Sequence, residues 1–339
     1  MKHSFRILSL SWTLILLMMA PACDPRLEPE PEPEPEPEEI HPVFLDCSSF
    51  YRFADMDSVV VLVLGDDEAQ YDISIPDDAA TWISTSTLHG TKSAYIGFEI
   101  GVNTSGQTRT ATISFQYAKN SFSTLQIKQD YRKRSDCYWD WGLNGTVQQV
   151  KRNDRPYNWY IDQSTTGTHS SNNCGPSCVT MAAKWADRTY SLSAAYARTQ
   201  FRPNGGWWYM NDITGFLELE HVTYRTLTPS GPGSFVSELD QGNIVIICLD
   251  MNLLSYSSED ACRVDRFYTT TPEWGHFLVV YGYVQTDQKL YLEVCDPNSY
   301  ARAYSDGTLK GYGRYYQADE VYHSVISWSS RVCVVERAR

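Results

Sequence analysis

Three residues of this chain have the types and the sequence settings that nucleophilic catalysis requires. Cys174 opens an apolar stretch predicted to be a helix, and Pro176 fits its first turn because the missing N–H is not needed there. His276 opens a predicted apolar strand, and Asp296 closes the next one. The free N–H groups and positive dipole end of a helix N-terminus favour thiolate over thiol at Cys174. The pattern therefore predicts a cysteine nucleophile that works with a histidine and a carboxylate.

The segment that carries these residues is predicted to be α+β. One helix begins at Cys174 and is followed by short apolar runs typical of buried strands. The connection between the two strands that carry His276 and Asp296 is predicted at 284–288. A helix followed by an antiparallel sheet is the α+β pattern. The predicted strands are 243–249, 275–283, 290–295 and 332–335.

Residues 41–131 are predicted to form a separate all-β module. β-rich runs alternate apolar and polar residues, and turn signals such as Asn103-Thr104-Ser105-Gly106 separate them. Strands at such spacing favour a β-sandwich. The predicted strands are 59–64, 95–100, 109–115 and 124–129.

The start of the chain has the pattern of an export signal. Lys2 and Arg6 precede a short apolar run that ends in small residues, so residues 1–22 predict a signal peptide. The small residues before Cys23 resemble a bacterial lipoprotein cleavage box, and ordinary signal cleavage nearby is the alternative. The resemblance implies lipidation of Cys23 and a membrane-anchored lipoprotein in the periplasm or on the outer cell surface.

An acidic, proline-rich linker is predicted at 23–40. Eight acidic residues and one arginine between Asp24 and Glu39 contribute −7 to the formal net charge of −13. Alternating Glu and Pro cannot build a core and should run extended as a semi-rigid spacer. The remainder of the chain is mildly acidic, which argues against a nucleic-acid partner because such binding requires basic patches.

The cysteine pattern favours catalysis over metal binding. Cys174 and Cys178 could be two metal ligands, but no nearby Cys/His pair completes a zinc pattern, so no metal or other cofactor is expected. Cys178 is instead predicted to be a small buried neighbour of the nucleophile. With Cys23 and Cys174 set aside, an odd number of cysteines is left, so at least one more is free or pairs between chains.

Three motifs carry a resemblance to a known family. Asn173-Cys174-Gly175-Pro176-Ser177, 275–283 and Asp296-Pro297 resemble the double-glycine (bacteriocin-leader-processing) peptidases and their stand-alone relatives, in the same Cys, His, Asp order. The resemblance implies a papain-like cysteine peptidase fold for 137–339 and a peptide or protein substrate. No nucleotide-binding loop and no mature membrane span is present in the sequence, so coupling to a transporter is not expected and a Gly-Gly preference is not assumed.

The family resemblance implies a role for each residue. Cys174 would attack a carbonyl, and His276 would activate it and later protonate the leaving amine. Asp296 would orient the imidazole and fix its tautomer. A loop histidine, His169, could approach the cleft but is expected to be solvated.

The oxyanion would be held by the Cys174 N–H and a side-chain amide. In the family this amide belongs to a Gln shortly before the Cys, and Gln163 is the candidate here. The gap from Gln163 to Cys174 is longer than the family usually shows, so Asn172 and Asn173 are rival donors. Trp207 and Trp208 are predicted to be core residues, whereas Trp274 stays open between core and cleft.

The first module has a resemblance of its own. The order Trp82-Ile83, Asn103, 109–113 and Ile127-Lys128-Gln129 resembles the BACON domain, an immunoglobulin-like module of exported Bacteroidetes proteins. It implies an Ig-like sandwich over 41–131 that either binds glycan or only holds a catalytic domain away from the membrane.

The predicted function is therefore an exported, lipid-anchored cysteine peptidase in a multidomain chain. One alternative is another acyl reaction on the same residues, either transglutaminase-like transfer or cell-wall amide hydrolysis. The other is a catalytically inactive, glycan-binding or adhesive surface lipoprotein. The reactivity of the Cys174 thiol distinguishes the inactive lipoprotein from the peptidase and from the other acyl-transfer enzymes.

Overall fold

The computed structural model describes residues 39–337. The predicted signal peptide at 1–22, the lipid site Cys23 and nearly all of the linker at 23–40 lie outside the described residues. The described part from Ile40 onward forms one compact unit. Within 39–337 it is β-rich, with three sheets and five α-helices. No helix in that range is long and apolar enough to cross a membrane.

Nine strands make two sheets in the N-terminal part. The sheet orders are β1-β3-β7-β5 and β2-β9-β8-β4-β6, and every pair is antiparallel except β2 with β9. The four predicted strands correspond to β3, β7, β8 and β9. The strands are β1 (Phe44–Leu45), β2 (Ser49–Arg52), β3 (Asp57–Leu64), β4 (Gln70–Ser74), β5 (Ile83–Ser84), β6 (His89–Thr91), β7 (Ala94–Ile100), β8 (Arg109–Ala118) and β9 (Ser121–Gln129).

Alternation along these strands builds the N-terminal core. Val59, Val61 and Val63 of β3 are buried, and so are Ile113 and Phe115 of β8, while the residues between them are more exposed. A period of two puts every second side chain on one face, so these apolar residues meet in one core.

The C-terminal part contains a single seven-stranded antiparallel sheet. Its order is β11-β16-β12-β13-β14-β15, and β10 also pairs with β13. Its strands are β10 (Val147–Arg152), β11 (Tyr224–Leu227), β12 (Ile244–Asp250), β13 (Gly275–Thr286), β14 (Leu290–Cys295), β15 (Tyr312–Gln317) and β16 (Val332–Val335). Its helices are α1 (Cys174–Ala186), α2 (Ala194–Gln200), α3 (Met210–Leu219), α4 (Gly233–Asp240) and α5 (Ala318–Trp328).

Helices cover both faces of this sheet. On one face, α1 contributes Met181 and Trp185 to a core shared with β12 and β13. On the other face, α5 contributes Val321 and Val325. Because β12 and β13 are covered on both faces, their sequences are continuous apolar runs rather than alternating patterns.

The structure differs from the sequence prediction in a few elements of this part. The connection predicted at 284–288 is shorter, because β13 continues to Thr286 and pairs with β10 as well as β14. Helices α2 to α5 and the strands β10, β11 and β15 were not expected.

The two parts of the chain are in direct contact. The backbone N–H of Val60 donates to the Pro156 carbonyl at 2.7 Å. The Phe53 ring packs edge-on against Trp141, and the Arg134 guanidinium lies over both rings. The division between 131 and 137 stays a prediction.

Candidate active site

Cys174 and His276 are brought together by the packing of α1 on β13. Cys174 is the first residue of α1, and His276 is the second residue of β13. Both side chains are buried, and the His276 ring is close enough to the Cys174 thiol for each group to shift the pKa of the other. Two residues 102 positions apart in the sequence are thus in contact.

Asp296 lies on the far side of the His276 ring from Cys174 and binds that ring directly. It follows β14 directly and is fully buried. Its Oδ1 lies 2.7 Å from Nε2 of His276. Since Nε2 is engaged by the carboxylate, Nδ1 is the ring nitrogen left for the Cys174 thiol.

Neighbouring donors hold the Asp296 carboxylate in place. The hydroxyls of Tyr268 and Tyr316 donate to Oδ2 at 2.8 and 3.1 Å. The backbone N–H of Asn298 donates to Oδ1 at 2.8 Å. Burial alone would raise the pKa of Asp296, but the charge and hydrogen bond of His276, with the Asn298 and Tyr268 donors, lower it below the ordinary value. Asp296 is therefore an ordered, ionised partner for the imidazole.

The same contacts favour a thiolate–imidazolium pair. Burial opposes both charges, yet the Asp296 carboxylate and the Cys174 sulfur raise the pKa of His276 to about 10. Burial likewise raises the pKa of Cys174, but the His276 hydrogen bond and charge, with the N–H groups of Phe277 and Gly175, bring it below the ordinary value. The thiol at the helix start is thus set apart from a buried structural cysteine.

The predicted oxyanion donors have different surroundings. Among the described residues, no acceptor takes the backbone N–H of Cys174. Gln163 is buried at the start of a short turn, Gln163–Thr165, that precedes α1, and its backbone N–H donates at 2.7 Å to the carbonyl of Pro297, the residue after Asp296. Its side-chain amide makes only a long 3.5 Å hydrogen bond to Ser171, and within 39–337 its Oε1 has no partner. The Gln163 amide therefore makes only one weak hydrogen bond that a ligand would have to displace, although Gln163 is not part of the cleft wall described below.

The side-chain amide of the rival donor Asn173 is already hydrogen-bonded within the fold. Its amide nitrogen donates to the hydroxyl and carbonyl of Thr166, at 2.9 and 3.3 Å, and its Oδ1 accepts from Arg198 Nε at 2.8 Å. Arg198 also donates to the Asn172 carbonyl at 2.6 Å. This buried arginine, which the sequence did not single out, fixes the two residues that precede Cys174.

Cys174 opens onto a cleft of about 780 Å³. Trp207, expected in the core, is instead exposed and lines this cleft. Trp208 is buried in the core as expected and also contributes to the cleft wall, as does Trp328 at the end of α5. Trp274 does not line it and packs on the opposite face of the sheet, beside the α5 core. Its proximity to His276 in sequence therefore did not bring Trp274 to the cleft wall.

Two glycines allow tryptophans to approach the site closely. A Cβ at position 175 would lie 2.8 Å from the Trp208 Cβ, and one at position 275 would overlap the Trp328 indole. Gly175 follows Cys174 directly, and Gly275 precedes His276. Each tryptophan is thus held against the backbone next to a site residue.

The eight described cysteines are all free thiols: Cys47, Cys137, Cys174, Cys178, Cys248, Cys262, Cys295 and Cys333. Cys178 is fully buried one turn after Cys174, and burial raises its pKa, as expected for a structural neighbour. Within 39–337, no group of three or more His, Cys, Asp or Glu side chains is placed to hold a metal ion.

Comparison with known proteins leaves the family unassigned. No protein-family model and no curated protein matches the chain. A Bacillus anthracis protein described as a C39-like peptidase is 12% identical over 56% of this chain and 99% of its own, with a TM-score of 0.39. A Bacteroides ovatus GH5 xyloglucanase is 18% identical, covers 26% of this chain and 19% of its own, and has a TM-score of 0.24. The SrpA adhesin of Streptococcus sanguinis is 14% identical over 44% of this chain and 77% of its own, with a TM-score of 0.23.

Proposed function

We propose that this chain is a cysteine peptidase that hydrolyses peptide amide bonds through Cys174, His276 and Asp296. The observation that supports it most is the arrangement of the buried Cys174 thiol beside the His276 imidazole, which is hydrogen-bonded to the Asp296 carboxylate, at the wall of an open cleft. A helix-start cysteine whose pKa is lowered by a histidine is an activated nucleophile. The family resemblance of the three motifs supports the same function.

In the first half of the reaction, the Cys174 thiolate attacks the carbonyl carbon of the scissile amide, and a C–S bond forms. The oxyanion would be stabilised by the free Cys174 N–H together with the Gln163 amide. As the tetrahedral intermediate collapses, the His276 imidazolium gives its proton to the leaving nitrogen and the C–N bond breaks. The products of this half are a free amine and a thioester on Cys174.

In the second half, water attacks the thioester carbon while neutral His276 takes a proton from it. The C–S bond then breaks, which releases a carboxylic acid and restores the thiolate–imidazolium pair. Asp296 keeps Nδ1 of His276 directed at the sulfur throughout, because Nε2 stays bound to the carboxylate.

The proposal includes export and lipid anchoring through Cys23, which rest on the residues at the start of the chain. The expected outcome is that the full chain extracts with membranes and carries a lipid mass, whereas Cys23→Ala does not. In this arrangement the N-terminal β module holds the peptidase part away from the membrane, and its role as a glycan-binding module is the alternative.

The first experiment compares the full chain with Cys174→Ala for labelling by a peptidyl electrophile, read as intact mass. Cys178→Ala is the matched control, because Cys178 is a buried cysteine one turn further along α1. One adduct in the wild type and in Cys178→Ala, with none in Cys174→Ala, is expected. An unlabelled wild type would contradict the proposal and favour an inactive, binding lipoprotein.

Hydrolysis and acyl transfer share the thioester and differ only in what captures it. Incubating a cleaved peptide with and without a primary amine separates them by product mass. An acid product in both conditions supports the peptidase. An amide product formed mainly with the amine would favour a transglutaminase-like reaction instead.

A further inference from the structure

We propose that the cleft selects peptides with a large apolar side chain, preferably aromatic, within one or two residues of the scissile bond. This inference rests on the proposed function and names its substrate class. It follows from the composition of the cleft wall, from the two glycine–tryptophan contacts and from the charges at the cleft.

Five aromatic side chains contribute to the wall around Cys174. Trp207, Trp208 and Tyr209 come from the loop before α3, and Phe277 and Trp328 come from β13 and α5. Trp207 is 56% exposed and Tyr209 is 60% exposed, so much of their surface is free to cover a ligand. Exposed aromatic groups that flank a concave site mark a binding surface.

The inner tryptophans lie beside the reacting centre. Trp208 packs against Gly175 and Trp328 against Gly275, the neighbours of Cys174 and His276. A substrate whose carbonyl carbon reaches the Cys174 sulfur must pass between or beside these indoles. The residues that flank its scissile bond are therefore the ones that meet aromatic surface.

Tyr209 and Trp208 are held in defined positions. The Tyr209 backbone N–H donates to Asp212 Oδ2 at 2.8 Å at the start of α3. Arg202 forms an ion pair with the same carboxylate at 2.6 Å and lies over the Tyr209 ring. Phe201 packs edge-on against Trp208, with ring centroids 5.7 Å apart. Such preorganised aromatic groups bind apolar side chains with little ordering cost.

The charges at the cleft give no reason to prefer an ionised side chain. Its wall carries one acidic and one basic residue, Glu273 and Arg331. These opposite charges cancel, so apolar contact remains the main basis for selection.

The test measures the rate at which matched peptidyl electrophiles inactivate the full chain, with Phe, Ala, Gly, Asp or Lys next to the reactive carbonyl. Rates with Phe at least about tenfold above those with Ala are expected, which corresponds to about 1.4 kcal/mol. Trp207→Ala should remove most of this difference. Trp139→Ala is the matched control, because Trp139 is 73% exposed and does not line the cleft.

A small haloacetamide, which needs no subsite, separates the two proposals. If it alkylates Cys174 rapidly in every variant while the peptidyl rates show no preference for Phe, the substrate class is wrong and the proposed function stands. Faster reaction with Gly or with charged residues, or with a glycan-bearing peptide than with its aromatic counterpart, would also overturn the substrate class. A slow haloacetamide reaction in the wild type would overturn both.

Discussion

Replacing Asp296 with Asn should remove most of the thiolate from Cys174 at neutral pH. Asn keeps the shape of the side chain and an oxygen for His276 and Asn298, but it removes the negative charge. Burial lowers the pKa of His276, and the Asp296 charge, which is the largest influence that raises it, is then absent. Neutral imidazole no longer stabilises the thiolate, and burial raises the pKa of Cys174.

The size of the effect follows from the imidazole. The pKa of His276 is raised from 6.5 to about 10, and each pKa unit is worth about 1.4 kcal/mol. The Cys174 sulfur provides part of this stabilisation of the imidazolium. Loss of Asp296 should therefore destabilise the thiolate–imidazolium pair by roughly 3–5 kcal/mol, which lowers its population about 10²- to 10⁴-fold.

The assay is the pH dependence of Cys174 alkylation by iodoacetamide, followed by peptide mass because other free cysteines are present. In the wild type, the thiolate forms as the pH rises through the lowered pKa of Cys174, and the ion pair is lost as the pH rises through about 10, where His276 deprotonates. In Asp296→Asn the alkylation midpoint should move to higher pH. The rate at neutral pH should fall by at least about tenfold.

Asp130→Asn is the matched control for this experiment. Asp130 is also buried and also accepts a tyrosine hydroxyl, from Tyr51 at 2.5 Å, but it lies just after β9 in the N-terminal part. The pH profile of Cys174 alkylation in Asp130→Asn should equal that of the wild type. An unchanged midpoint in a folded Asp296→Asn variant would refute the assignment of Asp296 as the source of the imidazolium.

Three further substitutions test neighbouring parts of the site. Gln163→Ala should lower kcat about 10²- to 10³-fold, as loss of one oxyanion donor does, while leaving the rate of Cys174 alkylation unchanged. Gly175→Ala should lower kcat/KM about tenfold in a peptide cleavage assay, because the new Cβ displaces Trp208. Tyr268→Phe removes one of two hydroxyls from the Asp296 carboxylate and should lower kcat about tenfold, the effect of about 1–1.5 kcal/mol.

Each of these predictions has a clear contrary result. A Gln163→Ala enzyme with wild-type kcat would show that another group holds the oxyanion. An unchanged kcat/KM in Gly175→Ala would show that Trp208 can move without consequence. A Tyr268→Phe variant with wild-type kcat, and with Tyr316→Phe also silent, would mean that the hydroxyls only fill space.

The parts of the fold that were predicted correctly are those with strong local signals. The helix at 174–186 and the strands at 290–295 and 332–335 agree with the structure, because buried strands are continuous apolar runs and a proline marks the helix start. The contact between His276 and Asp296 was foreseeable because adjacent antiparallel strands carry them.

The residues that support and line the site could not be found in this way. The sequence has 23 tyrosines, and only the tertiary approach of Tyr268 and Tyr316 to one carboxylate distinguishes these two. The same holds for Arg198, whose partners are mainly backbone carbonyls on other segments. The glycines beside Cys174 and His276 were a usable signal, since a missing Cβ implies close approach of another group.

The order of the site residues along the chain also has a consequence for biosynthesis. Cys174 lies near the middle of the chain, but His276, Asp296 and Tyr316 follow it by 102 to 142 residues. Domains fold as their segments emerge during synthesis. In a nascent chain that ends before β13, β14 and β15 have paired, the Cys174 thiol lacks the His276 and Asp296 partners that lower its pKa. The proposed nucleophile therefore gains its charged partners only when the sheet is nearly complete.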